Sequence, residues 1–255
     1  MTARPDRSPV VARVAALLGA VSAAEPEGAS TTELGKVAGL ARPTAHRLLT
    51  SLADVGLIDR DAKTGRWLLG PEMYLLGAVA AHRYDVTDQA REVVARLAAE
   101  TGESAFLSAR RGDETVCLLS VEGSFPLRSH VLHEGIRFPL GVASAGLAIL
   151  SHLPAGEVDD YFSRGCPVAD WGPDHSEESI RARIEATRIT GYAVNPALIV
   201  EGSWGIGAAV FDQNGRPSWA LSLTGVETRF KPDRRHELGT LLLEQAHLLS
   251  GRLRS

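Results

Sequence analysis

Arg42, Thr44, His46, Arg47 and Thr50 lie within one stretch of nine residues, and their side chains are of the kinds that bond base edges and phosphate oxygens. A guanidinium offers a fork of donors to guanine or to phosphate, and hydroxyl and imidazole groups bond either partner. Lys63 and Arg66 follow in a turn-rich segment from which backbone phosphates are within reach, and Thr32 and Pro43 complete the candidate DNA-contacting set. Such chemistry needs a helix with one face turned outward. Pro43 suits the first turn of that helix and Gly56 its end, while Ala45, Leu48, Leu49 and Leu52 recur at helical spacing as a stripe that must face a core. At about 100° per residue, the opposite face carries Pro43, Arg47, Thr50 and Asp54, with Thr44 and His46 on its flanks.

The elements that must position this helix are also readable. Thr32 to Ala38 is a shorter helical pattern, Gly39-Leu40-Ala41 a tight break, and Leu57 to Arg60 and Arg66 to Leu69 are strand patterns around the Asp61 to Gly65 turn. The order is that of a helix-turn-helix followed by a wing. Two short helices with solvated charges would give the first half of this pattern by themselves; the wing favours the DNA-reading layout. Val10, Val14, Leu17, Leu18 and Val21 mark an earlier helix, and Arg13 inside that run argues against a secretory leader.

Composition narrows the classes. The 255 residues are 44% hydrophobic and 23% charged, which fits a globular protein and excludes disordered and collagen-like chains. Residues 1–75 hold nine Lys+Arg against eight Asp+Glu, while the whole chain has a net charge of −4, so DNA affinity has to be local, from Arg42, Arg47, Lys63 and Arg66. Cys117 and Cys166 have no paired spacing, which suggests reduced thiols in a cytoplasmic protein with neither metal nor other cofactor. No stretch approaches a membrane-spanning length. Enzyme motifs are missing too: Val142 stands where a nucleophile elbow around Ser144 would need glycine, and Gly202, Gly205 and Gly207 are wrongly spaced for a dinucleotide loop.

Residues 1–9 read as a flexible arm, 10–70 as the winged head, 71–84 as a linker helix and 85–255 as a second domain. In the linker, Met73, Leu75, Leu76 and Val79 make an apolar stripe that either pairs subunits or packs internally. Beyond it come a helix over Val86 to Glu100 and strands over Ala105 to Arg110 and Thr115 to Val121, with a further strand expected over Leu127 to Leu132. A small-residue helix over Ala143 to Leu150 and a charged helix over Glu177 to Thr190 follow. A hairpin of Ile206 to Asp212 with Ser218 to Thr224 leads to a closing helix over Arg234 to Leu253. Strands mixed with flanking helices indicate an α+β fold.

Leu34, Val37-Ala38-Gly39-Leu40, Thr44 to Leu49, Leu52, Gly56-Leu57-Ile58 and Trp67 to Gly70 resemble the IclR family of bacterial transcriptional regulators. The second half resembles that family's effector domain, related to the GAF sensors, through Gly135 to Leu140, Ala143 to Gly146, Gly191-Tyr192-Ala193 and Gly205 to Asp212 with Gly215. The resemblance implies a winged helix-turn-helix before a GAF-like effector-binding domain, operator DNA and a small organic effector as partners, and a homodimer or homotetramer. By resemblance the effector pocket maps onto Leu127, His130, Phe138, Ser144, Ala145, Asn195, Ser203 and Gly205. His130 also reads as an ordinary strand histidine, Phe138 as core and Ser144 as a cap. The stretch Asn195 to Glu201 is more apolar than the usually acidic family loop, and an apolar or aromatic acid is the expected effector. A GAF-like sensor acting through protein partners is the rival reading.

Overall fold

The computed structural model describes residues 9–81, 86–127, 129, 131–165 and 167–254, which form two compact units divided between residues 84 and 85. His130, Cys166 and most of the expected arm lie outside the described residues.

In the first unit, α1 (Pro9–Ser22), α2 (Thr31–Val37) and α3 (Arg42–Asp54) pack around Leu17, Val21, Leu34, Ala45, Leu49, Ile58 and Trp67. α2 starts on a reciprocal cap: Ser30 Oγ accepts from the Glu33 N–H, and the Glu33 carboxylate accepts from the Ser30 N–H. That hydrogen bonding holds the Glu33 carboxyl below its ordinary range. β1 (Ile58–Arg60) and β2 (Trp67–Leu69) pair antiparallel with Ile58 opposite Leu69. Gly56 and Gly70 are required where the wing leaves α3: Gly56 has φ +75°, and a Cβ on Gly70 would sit 2.2 Å from the Gly56 carbonyl oxygen. None of residues 71–80 of α4 (Pro71–Ala81) is buried, and Tyr74, Leu75, Leu76 and Val79 are exposed.

The second unit is a six-stranded sheet in the order β5-β4-β3-β8-β7-β6, with every pairing antiparallel. Its strands are β3 (Ser104–Arg111), β4 (Glu114–Val121), β5 (Arg137–Pro139), β6 (Ala193–Pro196), β7 (Ser203–Phe211) and β8 (Pro217–Val226). Leu221 and Leu223 of β8 face α5 (Val86–Thr101) and α10 (Pro232–Arg252). Ala220, one residue out of phase, faces α6 (Ser144–Ser151), α7 (Ala155–Ser163) and α9 (Glu177–Thr190). A short helix, α8 (Val168–Trp171), precedes α9.

No strand is found among the described residues of Leu127 to Leu132: 127 and 131 lie in bends, and 129 and 132 in no regular element. The edge of β4 that such a strand would need is already taken. Cys117 N–H donates to the Ile136 carbonyl, Gly135 N–H to the Cys117 carbonyl, and Ser120 N–H to the Glu134 carboxylate. The segment is held elsewhere, with Gly123 N–H on Ser104 Oγ, Phe125 N–H on the Gly102 carbonyl, and Ser129 Oγ 2.6 Å from Ser203 Oγ.

Candidate nucleic-acid interface and effector cleft

α3 buries Ala45, Leu49 and Leu52, and leaves Arg42, Pro43, His46, Arg47, Thr50 and Asp54 exposed, with Thr44 half-buried. The thirteen-residue helix is about 20 Å long, enough to cross a major groove. Its N-cap, Ala41, contributes no side-chain hydrogen bond, and no acid sits in the first turn. The positive end of the helix therefore stays unneutralised beside Arg42. Thr32 is exposed on the first turn of α2.

The wing is braced. Asp61 Oδ1 accepts from the Lys63 and Thr64 N–H groups and from Thr64 Oγ1, which holds the Asp61 carboxyl below its usual range. Arg60 Nε donates to the Gly65 carbonyl, and its guanidinium lies 5.3 Å from the Trp67 ring centroid. Arg66 Nη1 donates to the Gly28 carbonyl at 2.7 Å. The Lys63 side chain is exposed at the tip, and no hydrogen bond or ion pair engages its ammonium among the described residues.

In the second unit a cleft forms between the start of α6 and strands β6, β7 and β8, roofed by Val131, Leu132 and Ile199. It brings together Ser144, Asn195, Ser203 and Gly205 of the expected set. Glycines let this happen: a Cβ on Gly207 would lie 2.6 Å from the Ser144 carbonyl oxygen, and one on Gly205 would lie 3.1 Å from Ser144 Oγ. The free space is about 20 Å³, which is room for about one water.

Three polar side chains of the cleft differ in how they are held. Asn195 Nδ2 donates to the Val142 carbonyl at 2.7 Å and its Oδ1 accepts from the Leu198 N–H at 3.0 Å, so the amide ties the approach to α6 to the roof loop. Ser203 is held by Ser129. Thr224 is only 4% exposed, and its Oγ1 has no hydrogen-bond partner among the described residues; Ser222 Oγ, two residues back on the same face but outside the cleft lining, has none among them either. An unpaired buried hydroxyl is unfavourable unless something else satisfies it. The N-cap of α6, Ala143, also lacks a side-chain cap, which leaves the helix end positive.

Three expected pocket residues stand outside the lining. Ala145 is turned by one helical step into the α6–α7–α9 core. Phe138 is buried behind the wall against Trp171, ring centroids 5.4 Å apart. Leu127 is 65% exposed. Sequence reasoning missed Thr224, Ala143, Val131, Leu132, Ile199 and Trp204. For Thr224 a signal existed: Ser218, Ala220, Ser222 and Thr224 are small or polar on every second residue of a strand whose other face is Trp219, Leu221 and Leu223.

His175 is fully buried behind the cleft, its Nδ1 2.9 Å from the Trp171 carbonyl oxygen. Burial lowers its affinity for a proton, offset in part by hydrogen bonds to the Trp171 and Val142 backbones. No group of His, Cys, Asp and Glu among the described residues could hold a metal ion, and no described helix is long and apolar enough to cross a membrane.

Comparison with known proteins places both units. Residues 10–62 match the model of the IclR helix-turn-helix domain, and residues 78–251 that of the bacterial transcriptional regulator IclR C-terminal domain. The HTH-type transcriptional regulator KipR of Bacillus subtilis is 29% identical over 204 residues, spanning 80% of this chain and 81% of that one. The HTH-type transcriptional repressor AllR of Klebsiella pneumoniae is 28% identical over 209 residues, 81% of this chain and 76% of that one. The fold superposes with a TM-score of 0.76 on an IclR homologue from Microbacterium hydrocarbonoxydans solved with 4-hydroxybenzoate, at 21% identity and covering 96% of this chain and 99% of that one. With the two models covering residues 10–62 and 78–251, one over each unit, this chain belongs to the IclR family of bacterial transcriptional regulators.

Proposed function

We propose that the protein is a cytoplasmic repressor that reads an operator through α3 and releases it when a small organic acid enters the cleft of the second unit. The observation that carries the DNA half is the exposed row of Arg42, Pro43, His46, Arg47 and Thr50 over a buried Ala45-Leu49-Leu52 stripe. Arg47 reads base edges, and Arg42, Thr44, Thr32 and Lys63 hold phosphates. A head with so few cations binds weakly alone. Pairing on two half-sites multiplies its affinity through effective concentration, and the exposed Tyr74, Leu75, Leu76 and Val79 of α4 supply an apolar face for a second copy.

Apolar walls, a positive helix end and the unpaired hydroxyl of Thr224 support an apolar or aromatic acid as effector, contacted by Ser144, Ser203, Gly205 and Thr224. The relative solved with 4-hydroxybenzoate is consistent with this class. A benzoate-sized molecule needs more space than the cleft holds, so binding selects a more open form, and that differential affinity is what shifts the heads. A thermal-shift screen of aromatic and aliphatic acids, followed by operator-release assays with each hit, tests the reading. A binder that raises stability and releases DNA supports it. Binders that leave DNA affinity unchanged would point instead to a sensor acting through protein partners.

A further inference from the structure

The wing carries three cations, Arg60, Lys63 and Arg66; Arg60 is engaged within the wing, by the Gly65 carbonyl and the Trp67 ring, and Arg66 with Gly28 of the α1–α2 connection. Resting on the DNA-binding reading above, we infer that Arg66 is a positioning residue that locks the wing to the α1–α2 connection, and that Lys63 is the phosphate contact which this bracing aims. The side of β2 away from β1 is fastened at four points. Arg66 Nη1 donates to the Gly28 carbonyl at 2.7 Å, and Ala29 pairs with Trp67 through Ala29 N–H to the Trp67 carbonyl at 3.2 Å and Trp67 N–H to the Ala29 carbonyl at 2.9 Å. Trp67 Nε1 donates to Thr31 Oγ1 at 2.9 Å, and Leu69 N–H to the Glu25 carboxylate at 2.7 Å. Gly28, with φ +65°, has no room for a side chain, since a Cβ would lie 2.8 Å from the Trp67 carbonyl oxygen. The Glu33 carboxyl is held below its ordinary range first by its hydrogen bonds to Ser30, and the Arg66 charge adds a smaller lowering. Arg66 thus closes the connection against the start of α2, so the wing and the helix that carries Thr32 move as one body. Lys63 sits on the opposite end of this brace, its backbone N–H held by Asp61 and its ammonium in solvent.

The two roles separate in full-length variants by two readouts. On a labelled duplex of mixed sequence, Lys63→Ala should reduce the slope of log affinity against log salt by about 0.9 per head, the signature of one lost phosphate contact. Arg66→Met, which keeps the aliphatic stem, should weaken binding with the slope unchanged. By amide hydrogen exchange without DNA, Arg66→Met should exchange about fivefold faster in residues 25–31 and 58–69, the equivalent of one net hydrogen bond, while Lys63→Ala leaves both segments as they are. Unchanged exchange in Arg66→Met, or a salt slope that falls as it does in Lys63→Ala, overturns the assignment. If the unaltered protein binds no duplex, the DNA-binding reading fails, and the exchange result still decides whether Arg66 is a brace.

Discussion

Replacing Thr224 by valine should make the free protein more stable and its effector binding weaker, two effects of opposite sign from one exchanged atom. Valine has the shape of threonine with a methyl in place of the hydroxyl, so packing beside its strand partner Gly205 is kept. In the free protein Oγ1 is buried in a 4% exposed residue and has no partner among the described residues. Leaving a neutral donor or acceptor unsatisfied costs about 1–3 kcal/mol, and removing it recovers that amount when no other group loses a bond. Urea unfolding followed by the near-ultraviolet signal of the second unit should give a stability gain of about 1 kcal/mol at unchanged m-value. The effector then loses a hydrogen bond worth about 0.5–1.5 kcal/mol, which weakens its affinity by up to about tenfold and shrinks the ligand-induced thermal shift accordingly. A variant less stable than the parent, with effector affinity intact, would refute the argument that this hydroxyl waits for a ligand.

Other expectations follow from single contacts. Ser30→Ala removes one half of the cap on α2 and should cost about 1 kcal/mol of stability, read by thermal or urea unfolding of the head. Glu103, 2% exposed, is ion-paired to Arg229 and Arg234, so Glu103→Ala leaves two guanidinium groups without their carboxylate and should destabilise the second unit by about 3–5 kcal/mol in the same assay. Burial pushes the Cys117 thiol up to about 12. In a Cys166→Ser background the native protein should therefore resist a thiol reagent at pH 8 that labels the unfolded chain at once. The same shift means that between the ordinary thiol value of 9.0 and about 12 the unfolded chain loses a proton the folded one keeps, so stability should fall as pH rises through that window.

The head was legible because its signals are local. Ala45, Leu49 and Leu52 at helical spacing are buried, Pro43 lies in the first turn of α3, and the Asp61 to Gly65 turn joins the two strands of the wing. The cleft is a different matter, since Ser144, Asn195, Ser203 and Gly205 meet only through the order of the sheet, which no spacing in the sequence reveals; the family resemblance brought them together. Leu127 to Leu132 carries strand-like residues but has no free strand edge to join, because Glu134, Gly135 and Ile136 occupy it. α7 went unread although Pro154 precedes it and Val158, Tyr161 and Phe162 lie at i, i+3 and i+4, where three acidic residues mask the stripe. Arg66 shows the limit most clearly: a cation in a wing reads as a phosphate ligand until its carbonyl partner, far back in the sequence, is seen.

The most direct test of the account is fluorescence anisotropy of a duplex from the promoter region beside the protein's own gene, titrated with the parent protein and with Arg47→Ala. Arg47 is exposed on α3 and no hydrogen bond or ion pair engages it among the described residues, so the variant should melt as the parent does and lose about tenfold or more in DNA affinity, the worth of one bidentate base contact. Equal affinity of the two proteins for that duplex would contradict the claim that this face of α3 reads DNA.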